Sequence, residues 1–105
     1  MQSMIVVLGR VTVRPDALPQ AQALAAEHVA RSRMEPGCVA HGFSTDAENP
    51  LLLVFVEKWQ SLAHLQAHFA VPASRAFAKE LAGLATAPPV MEVFEAAAVD
   101  PFARS

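Results

Sequence analysis

Residues 51–59 read Leu-Leu-Leu-Val-Phe-Val-Glu-Lys-Trp, and this stretch indicates the fold class. Aliphatic, β-branched and aromatic residues dominate it, which is typical of a β-strand. Because side chains alternate between the two faces of a strand, Leu53 and Phe55 share one face, whereas Val54 and Val56 share the other. Both faces are therefore largely apolar. An antiparallel sheet with one face in water would alternate apolar and polar residues, so this pattern predicts a sheet that is covered on both sides.

Three further segments are patterned as strands, namely residues 5–13, 38–45 and 90–95. The strand at 5–13 is apolar on both faces, as the strand at 51–59 is. The turn residues at 46–50 are short enough to predict an antiparallel hairpin between the two strands that flank them.

Helical segments separate these strands. An Ala-rich segment over residues 17–33 has high helix propensity, and Asp16 is its expected N-cap. Ser61 is the expected N-cap of a helix over 62–70, and a second helical piece over 73–84 follows it. The resulting order, βαββαβ, predicts a ferredoxin-like α+β sandwich.

The helices of such a fold can cover only one face of a four-stranded sheet, so the second apolar face needs another cover. Packing against the same face of a second copy is the economical solution, because closed two-fold dimers are the commonest oligomers. The pattern therefore predicts a homodimer through the sheet face, with an over-hydrophobic monomer as the alternative. We expect residues 1–99 to form a single domain and residues 100–105 to be a C-terminal tail.

Composition excludes several classes of protein. Eight Lys and Arg against ten Asp and Glu give a formal net charge of −2, so we expect neither a nucleic acid nor a membrane as a partner. No apolar run approaches the roughly 20 residues of a membrane-spanning helix, and the start lacks the basic region of a signal peptide. Cys38 has no second cysteine to pair with, which favours a cytoplasmic location.

Side chains that can carry chemistry concentrate at the end of the 51–59 strand and on the helix after it. Glu57 and Trp59 are followed by His64 and His68, which lie four residues apart and so share a helix face. A histidine beside an apolar cleft can act as a general base, because its unperturbed pKa lies near neutrality. The plainer interpretation is that His68 fills a polar gap and hydrogen bonds to Glu57 or to backbone.

The same two histidines could also form half of a metal site, with His41 and Glu57 as further candidate ligands. Two ligands are too few to hold a metal, and no third is identifiable from spacing, so we predict no metal site. His28 recurs at helical spacing with Ala21 and Ala25, which mark the inner face of the first helix, but together with Glu27 we assign it to a mostly solvated helix edge.

Several motifs, in their order and spacing, together resemble the antibiotic biosynthesis monooxygenase family. They are Glu35-Pro36-Gly37-Cys38, Glu57-x-Trp59, Ser61-x-x-x-Leu65-x-x-His68 and Phe77-x-x-x-Leu81-x-x-Leu84. The resemblance covers roughly residues 4–96 of the chain. It implies a dimeric α+β barrel, which agrees with the homodimer inferred from the two-sided strands.

Several members of that family oxygenate quinols or polycyclic phenols with O₂ and use no metal, flavin or haem. The chemistry is feasible because an electron-rich phenolate can itself pass an electron to O₂, if the protein supplies a base and a dry pocket. The resemblance thus implies a monooxygenase without cofactors that oxidises a quinol or another dihydroxyaromatic. His68 would be the base or proton shuttle. The implied substrate-binding residues are Trp59, Phe55, His64 and Leu65.

The chain departs from the family at several positions. It contains no tyrosine, and it has Phe55 where some members carry an Asn. The haem-degrading branch uses an Asn, a Trp and a ligating His at positions that here correspond to Gly9, His68, and Ala78 or Lys79, so haem degradation is disfavoured. The alternative to an enzyme is a non-catalytic module that binds a small aromatic ligand on the same dimeric barrel.

Overall fold

The computed structural model describes residues 3–104. Its strands and helices are β1 (Met4–Thr12), α1 (Leu18–Ser32), β2 (Cys38–Thr45), β3 (Leu52–Trp59), α2 (Leu62–Ala70), α3 (Pro72–Leu84) and β4 (Val90–Ala96). Residues 1, 2 and 105, at the ends of the expected domain and of the expected tail, lie outside the described residues. Every helix within 3–104 is too short or too polar to span a lipid bilayer.

The four strands form one antiparallel sheet in the order β2-β3-β1-β4. The two most apolar strands, β1 and β3, therefore lie at its centre, where Val7 pairs with Glu57 and Gly9 pairs with Phe55. This topology, with the helices on one face, is the ferredoxin-like α+β arrangement that the order of elements predicts. The fold class is confirmed.

The starts of the helices follow from local sequence, with one correction. Ser61 caps α2 as predicted, since its Oγ accepts a hydrogen bond from the backbone N–H of His64. Asp16 does not cap α1. A 3₁₀ turn over Pro15–Ala17 precedes α1 and moves the start of the helix to Leu18, so the Asp16 carboxylate lies 3.5 Å from Arg14 Nε instead.

The hydrophobic core lies between the helices and the inner face of the sheet. Its larger part joins β1 and β3 to α1 and α3, and it includes Val11, Leu53, Ala21, Ala25 and Leu81. A smaller part holds α2 against the sheet and consists of Ile5, Val7, Trp59 and Leu65. The alternation predicted for residues 51–59 is present, because Leu53, Phe55, Glu57 and Trp59 are all buried.

The opposite face of the sheet is largely apolar, although Arg10, Lys58 and Glu92 also lie on it, and it is uncovered in the single chain. We call it the outer sheet face and define it by Val6, Leu8, Val54, Val56, Val90 and Phe94, which the strand pairing places on one side. Leu8 is 39% exposed, Val56 43% and Phe94 45%. These exposures are high for large apolar residues at or beside the centre of a sheet, which indicates a surface suited to burial.

Candidate functional site

A cavity of about 320 Å³ lies between the inner face of the sheet and the helices α2 and α3. Its apolar walls come from β1, β3, α3 and β4, and they include Gly9, Val11, Phe55, Phe77, Leu81 and Met91. Polar and charged side chains line it as well, namely Arg10, His28, Glu57, His68, Ser74 and Arg75. The volume is within the range of small-molecule sites, and apolar walls with a few converging polar groups are the usual composition of such sites.

Three histidines from three different elements converge beside this cavity. We call His28 of α1, His41 of β2 and His68 of α2 the histidine cluster. All three are at most 5% exposed, and each offers a ring nitrogen that lies within 4.8 Å of the other two. The structure thus brings together residues that lie 13 and 27 positions apart in the sequence.

His28 is buried, so its assignment to a solvated helix edge is wrong, whereas its helical spacing with the inner-face residues of α1 is confirmed. It follows the buried Ala21 and Ala25 on the inner face of α1, while its neighbour Glu27 stays exposed and pairs with Arg31. The His28 ring stacks on Phe77 of α3 with centroids 3.9 Å apart and planes 4° apart. The packing of α3 against α1 therefore buries the His28 ring.

Burial gives His28 an unusual protonation behaviour. Loss of solvent, with a smaller contribution from the neighbouring His41 and His68 charges, lowers the pKa of His28 to about 3. Its ring is therefore neutral at pH 7. Its Nδ1 has no hydrogen-bond partner within residues 3–104.

His41 lies directly opposite Glu57 in the pairing of β2 with β3. Its Nε2 is 3.3 Å from Glu57 Oε1, an electrostatic contact that lacks the alignment of a hydrogen bond. Neither ring nitrogen of His41 makes a hydrogen bond to another described residue. The two residues named from sequence as further candidate ligands, His41 and Glu57, are thus in contact.

Glu57 is a buried carboxylate with several positive or donating neighbours. Its Oε1 accepts a hydrogen bond from Trp59 Nε1 at 3.0 Å and lies 3.9 Å from His68 Nε2. Burial by itself favours the neutral acid, but the contacts with His41, Trp59 and His68 outweigh it and hold the pKa of Glu57 below its usual value. A negative charge is therefore present beside the histidine cluster at neutral pH.

His68 is held by Glu35 rather than by Glu57. Its Nδ1 lies 2.8 Å from Glu35 Oε1, whereas its Nε2 is 3.9 Å from Glu57 Oε1. With a carboxylate on Nδ1, the neutral ring carries its proton there, which leaves Nε2 as the free basic nitrogen. Sequence reasoning missed Glu35 as a partner, although the residue stands in the Glu-Pro-Gly-Cys motif that carries part of the family resemblance.

Of the residues expected at a substrate pocket, His68 and Phe55 line the cavity. Trp59 and Leu65 are buried beside it in the smaller part of the core. His64 lies elsewhere, because its Nδ1 is 2.6 Å from Ser61 Oγ and its ring packs against Gly37. His64 and His68, considered from sequence as half of a metal site, have different partners, since His64 contacts Ser61 and His68 contacts Glu35.

Residues 4–80 match the model of the family described as antibiotic biosynthesis monooxygenase. The chain is also 31% identical over 93 residues to the uncharacterized protein sll1783 of Synechocystis, and the matched residues make up 89% of this chain. It spans 63% of the length of that relative.

Solved structures share the fold over nearly the whole chain. Rv0793 from Mycobacterium tuberculosis is 27% identical with a TM-score of 0.84, and the match covers 96% of this chain and 100% of that one. A Bacteroides thetaiotaomicron protein of unknown function, described as a possible oxidoreductase, is 26% identical with a TM-score of 0.83. That match covers 90% of this chain and 99% of the other.

Proposed function

The chain belongs to the antibiotic biosynthesis monooxygenase family, and from this membership we propose that it oxygenates a quinol or another dihydroxyaromatic with O₂ in the cavity, without a cofactor. The observation that carries the proposal is the apolar cavity of about 320 Å³ with His68 in its wall. The size suits one small ring system, and the largely apolar walls favour an aromatic substrate over a sugar.

Binding would place the ring of the substrate against aromatic side chains. Phe55 and Phe77 both line the cavity, and their ring planes are 70° apart, so together they form two sides of a corner. Aromatic rings stack or meet edge to face with an energy of about 0.5–1.5 kcal/mol beyond area burial. Such walls also exclude water, which protects reactive intermediates from side reactions.

The proton of the substrate hydroxyl would pass to Nε2 of His68. Glu35 supports this role, because its carboxylate on Nδ1 fixes the ring and stabilises the imidazolium that forms. Glu35 thus acts as a positioning residue. His28 stays neutral in the same wall and can donate or accept a hydrogen bond to the second hydroxyl.

The phenolate would then pass one electron to O₂, and the two radicals would combine at a ring carbon. Loss of water from the resulting hydroperoxide leaves a hydroxyquinone. One oxygen atom enters the ring and the other leaves as water, so the dihydroxyaromatic supplies all four electrons and no further reductant is required. The role of the protein is to form the phenolate and to keep the site dry.

The proposal also includes the homodimer. The outer sheet face is the support for it, since this face is apolar and central to the fold and the helices leave it uncovered. A second copy would cover it with an identical surface, which is the arrangement that a two-fold axis produces.

Oxygen uptake tests the proposed reaction. Chelator-treated protein is mixed with a panel of reduced naphthoquinones and anthrones, and O₂ consumption is followed with an electrode. We expect His68→Gln to lower kcat by about 10²–10⁴-fold with its fold retained, because a general base contributes this much. The matched control is Gln66→Ala, an exposed residue on the same helix, which we expect to behave as the parent.

Two results would contradict the proposal. Normal turnover in a folded His68→Gln variant would remove His68 from the mechanism. Saturable binding of an aromatic with no O₂ consumption across the panel would favour the alternative, a ligand-binding module on the same fold.

A further inference from the structure

We propose that the histidine cluster, His28, His41 and His68, is a binding site for one divalent transition-metal ion of the Zn²⁺, Co²⁺ and Cu²⁺ class. Imidazole nitrogen is a preferred ligand of these ions, and three histidines with an open fourth position form a known type of catalytic or exchangeable site. The site differs from the His64 and His68 pair considered from sequence, because it draws its ligands from α1, β2 and α2.

Distances support a shared ion. The three nitrogens lie within 4.8 Å of one another. A tetrahedral ion with bonds of about 2.0–2.1 Å to each nitrogen holds its ligands roughly 3.3 Å apart. Binding of one ion would therefore draw the three ring nitrogens closer by up to about 1.5 Å.

The unpartnered nitrogens are a second and independent observation. His28 Nδ1 and His41 Nδ1 are buried and lack hydrogen bonds within the described part of the chain, and His41 Nε2 has only its 3.3 Å contact with the Glu57 carboxylate. An unsatisfied buried polar group costs about 1–3 kcal/mol, so native proteins rarely leave several of them in one place. A bound ion would satisfy one nitrogen on each of these two rings at the same time.

The surroundings have the features that support metal ligands. Glu35 holds His68 Nδ1 and leaves Nε2 available, which is the carboxylate–histidine–metal arrangement of many sites. The Glu57 carboxylate, 3.3 Å from His41 Nε2 and 3.9 Å from His68 Nε2, offsets the positive charge of the ion. Trp59 holds that carboxylate in place through its indole N–H.

The ion would have access to the cavity. His28 and His68 both line the cavity, so an ion held between them would be within reach of a molecule bound there. Water or an anionic oxygen, such as a phenolate, is the expected fourth ligand. If His68 is the base of the proposed reaction, a bound ion would occupy its Nε2 and stop the metal-free reaction. This consequence rests on the proposed function.

Calorimetric titration tests the site without any use of O₂ uptake. Chelator-treated protein is titrated with Zn²⁺ at pH 7.5, and we expect one ion per chain. His28→Gln, His41→Gln and His68→Gln should each weaken binding by about 100-fold or more, since each removes a ligand. The matched control is His64→Gln, which removes a histidine from α2 outside the cluster and should leave Zn²⁺ affinity as in the parent.

A measurement on the parent protein keeps the test independent of variants that fail to fold. Imidazole ¹⁵N resonances are recorded with and without Zn²⁺, and we expect those of His28, His41 and His68 to shift while His64 does not. Absence of Zn²⁺ binding, or binding that shifts His64 and leaves the other three unchanged, would overturn the proposal. Because no substrate is involved, failure of the metal site and failure of the proposed oxygenation are distinguishable.

Discussion

Single residues at the site differ most from what their local sequence suggests, and His28 is the clearest case. Its position at the edge of an amphipathic helix is compatible with either solvent or core. Contact with Phe77 of α3 decides in favour of the core, and burial then lowers the pKa of His28 to about 3. His28 is thus a neutral imidazole in the wall of the cavity.

This shift predicts how stability depends on pH in the metal-free protein. Unfolded His28 binds a proton below about pH 6.5, but folded His28 does not until about pH 3, so stability falls as pH falls through this window. Glu57, whose folded pKa is also lowered, loses its stabilising contribution in the same direction at lower pH. The contribution of His28 between pH 7 and pH 5 is about 2 kcal/mol.

Chemical denaturation at both pH values, with chelator present, measures this loss. The His28→Gln variant lacks the titrating ring. Between pH 7 and pH 5 the free energy of unfolding should decrease in both proteins, and we expect the decrease to be about 2 kcal/mol smaller in the variant. The parent protein is measured under the same conditions, so that the fall caused by groups other than His28 is common to both proteins. An identical fall in both proteins would show that His28 titrates normally.

At the scale of the elements, the connection between α1 and β2 depends on one glycine. Gly37 has a φ of +80°, in the left-handed region that residues with a Cβ rarely adopt. A Cβ at this position would also collide with the His64 ring of α2. The turn therefore lets α2 pack closely against the start of β2.

Gly37→Ala is expected to lower the free energy of unfolding by about 1–3 kcal/mol, because backbone strain and the clash with His64 add together. The matched control is Gly83→Ala in α3, where a Cβ meets nothing within 4 Å. That change should be neutral or stabilise by up to about 1 kcal/mol, since alanine favours the helix. Equal effects of the two substitutions in thermal or urea unfolding would contradict this account of the turn.

At the scale of the whole molecule, the outer sheet face predicts the oligomeric state. The parent protein should sediment as a dimer at micromolar concentration if this face is buried against a second copy. Val56→Lys places a charge on β3 at the middle of the face and should shift the equilibrium towards monomer. Met34→Lys is the control, because Met34 is 86% exposed and lies outside that face.

A parent protein that sediments as a monomer would refute the dimer and leave the outer face as ordinary surface. Dissociation by Met34→Lys to the same degree as by Val56→Lys would place the interface elsewhere. Neither result would affect the fold, because the described sheet and core are complete within one chain.

Local sequence by itself determined the elements and the two faces of the sheet. Strand β2 and helix α2 have the bounds that were predicted, and β3 differs by one residue at its start. This success has a physical reason, since the repeat of apolar residues and the caps are short-range signals that a chain carries in any context. Asp16 shows the limit, because an added 3₁₀ turn moved the start of α1 by less than one helical turn.

Tertiary structure alone decided which side chains meet. His28, His41 and His68 lie on three separate elements, and Glu35 reaches His68 across 33 residues. No periodicity within one segment encodes such a meeting, because it depends on how α1 and α2 pack over the sheet and on the register of β2 against β3. The histidine pair visible in the sequence, His64 and His68, therefore has separate partners, and His68 joins a cluster that no spacing predicts.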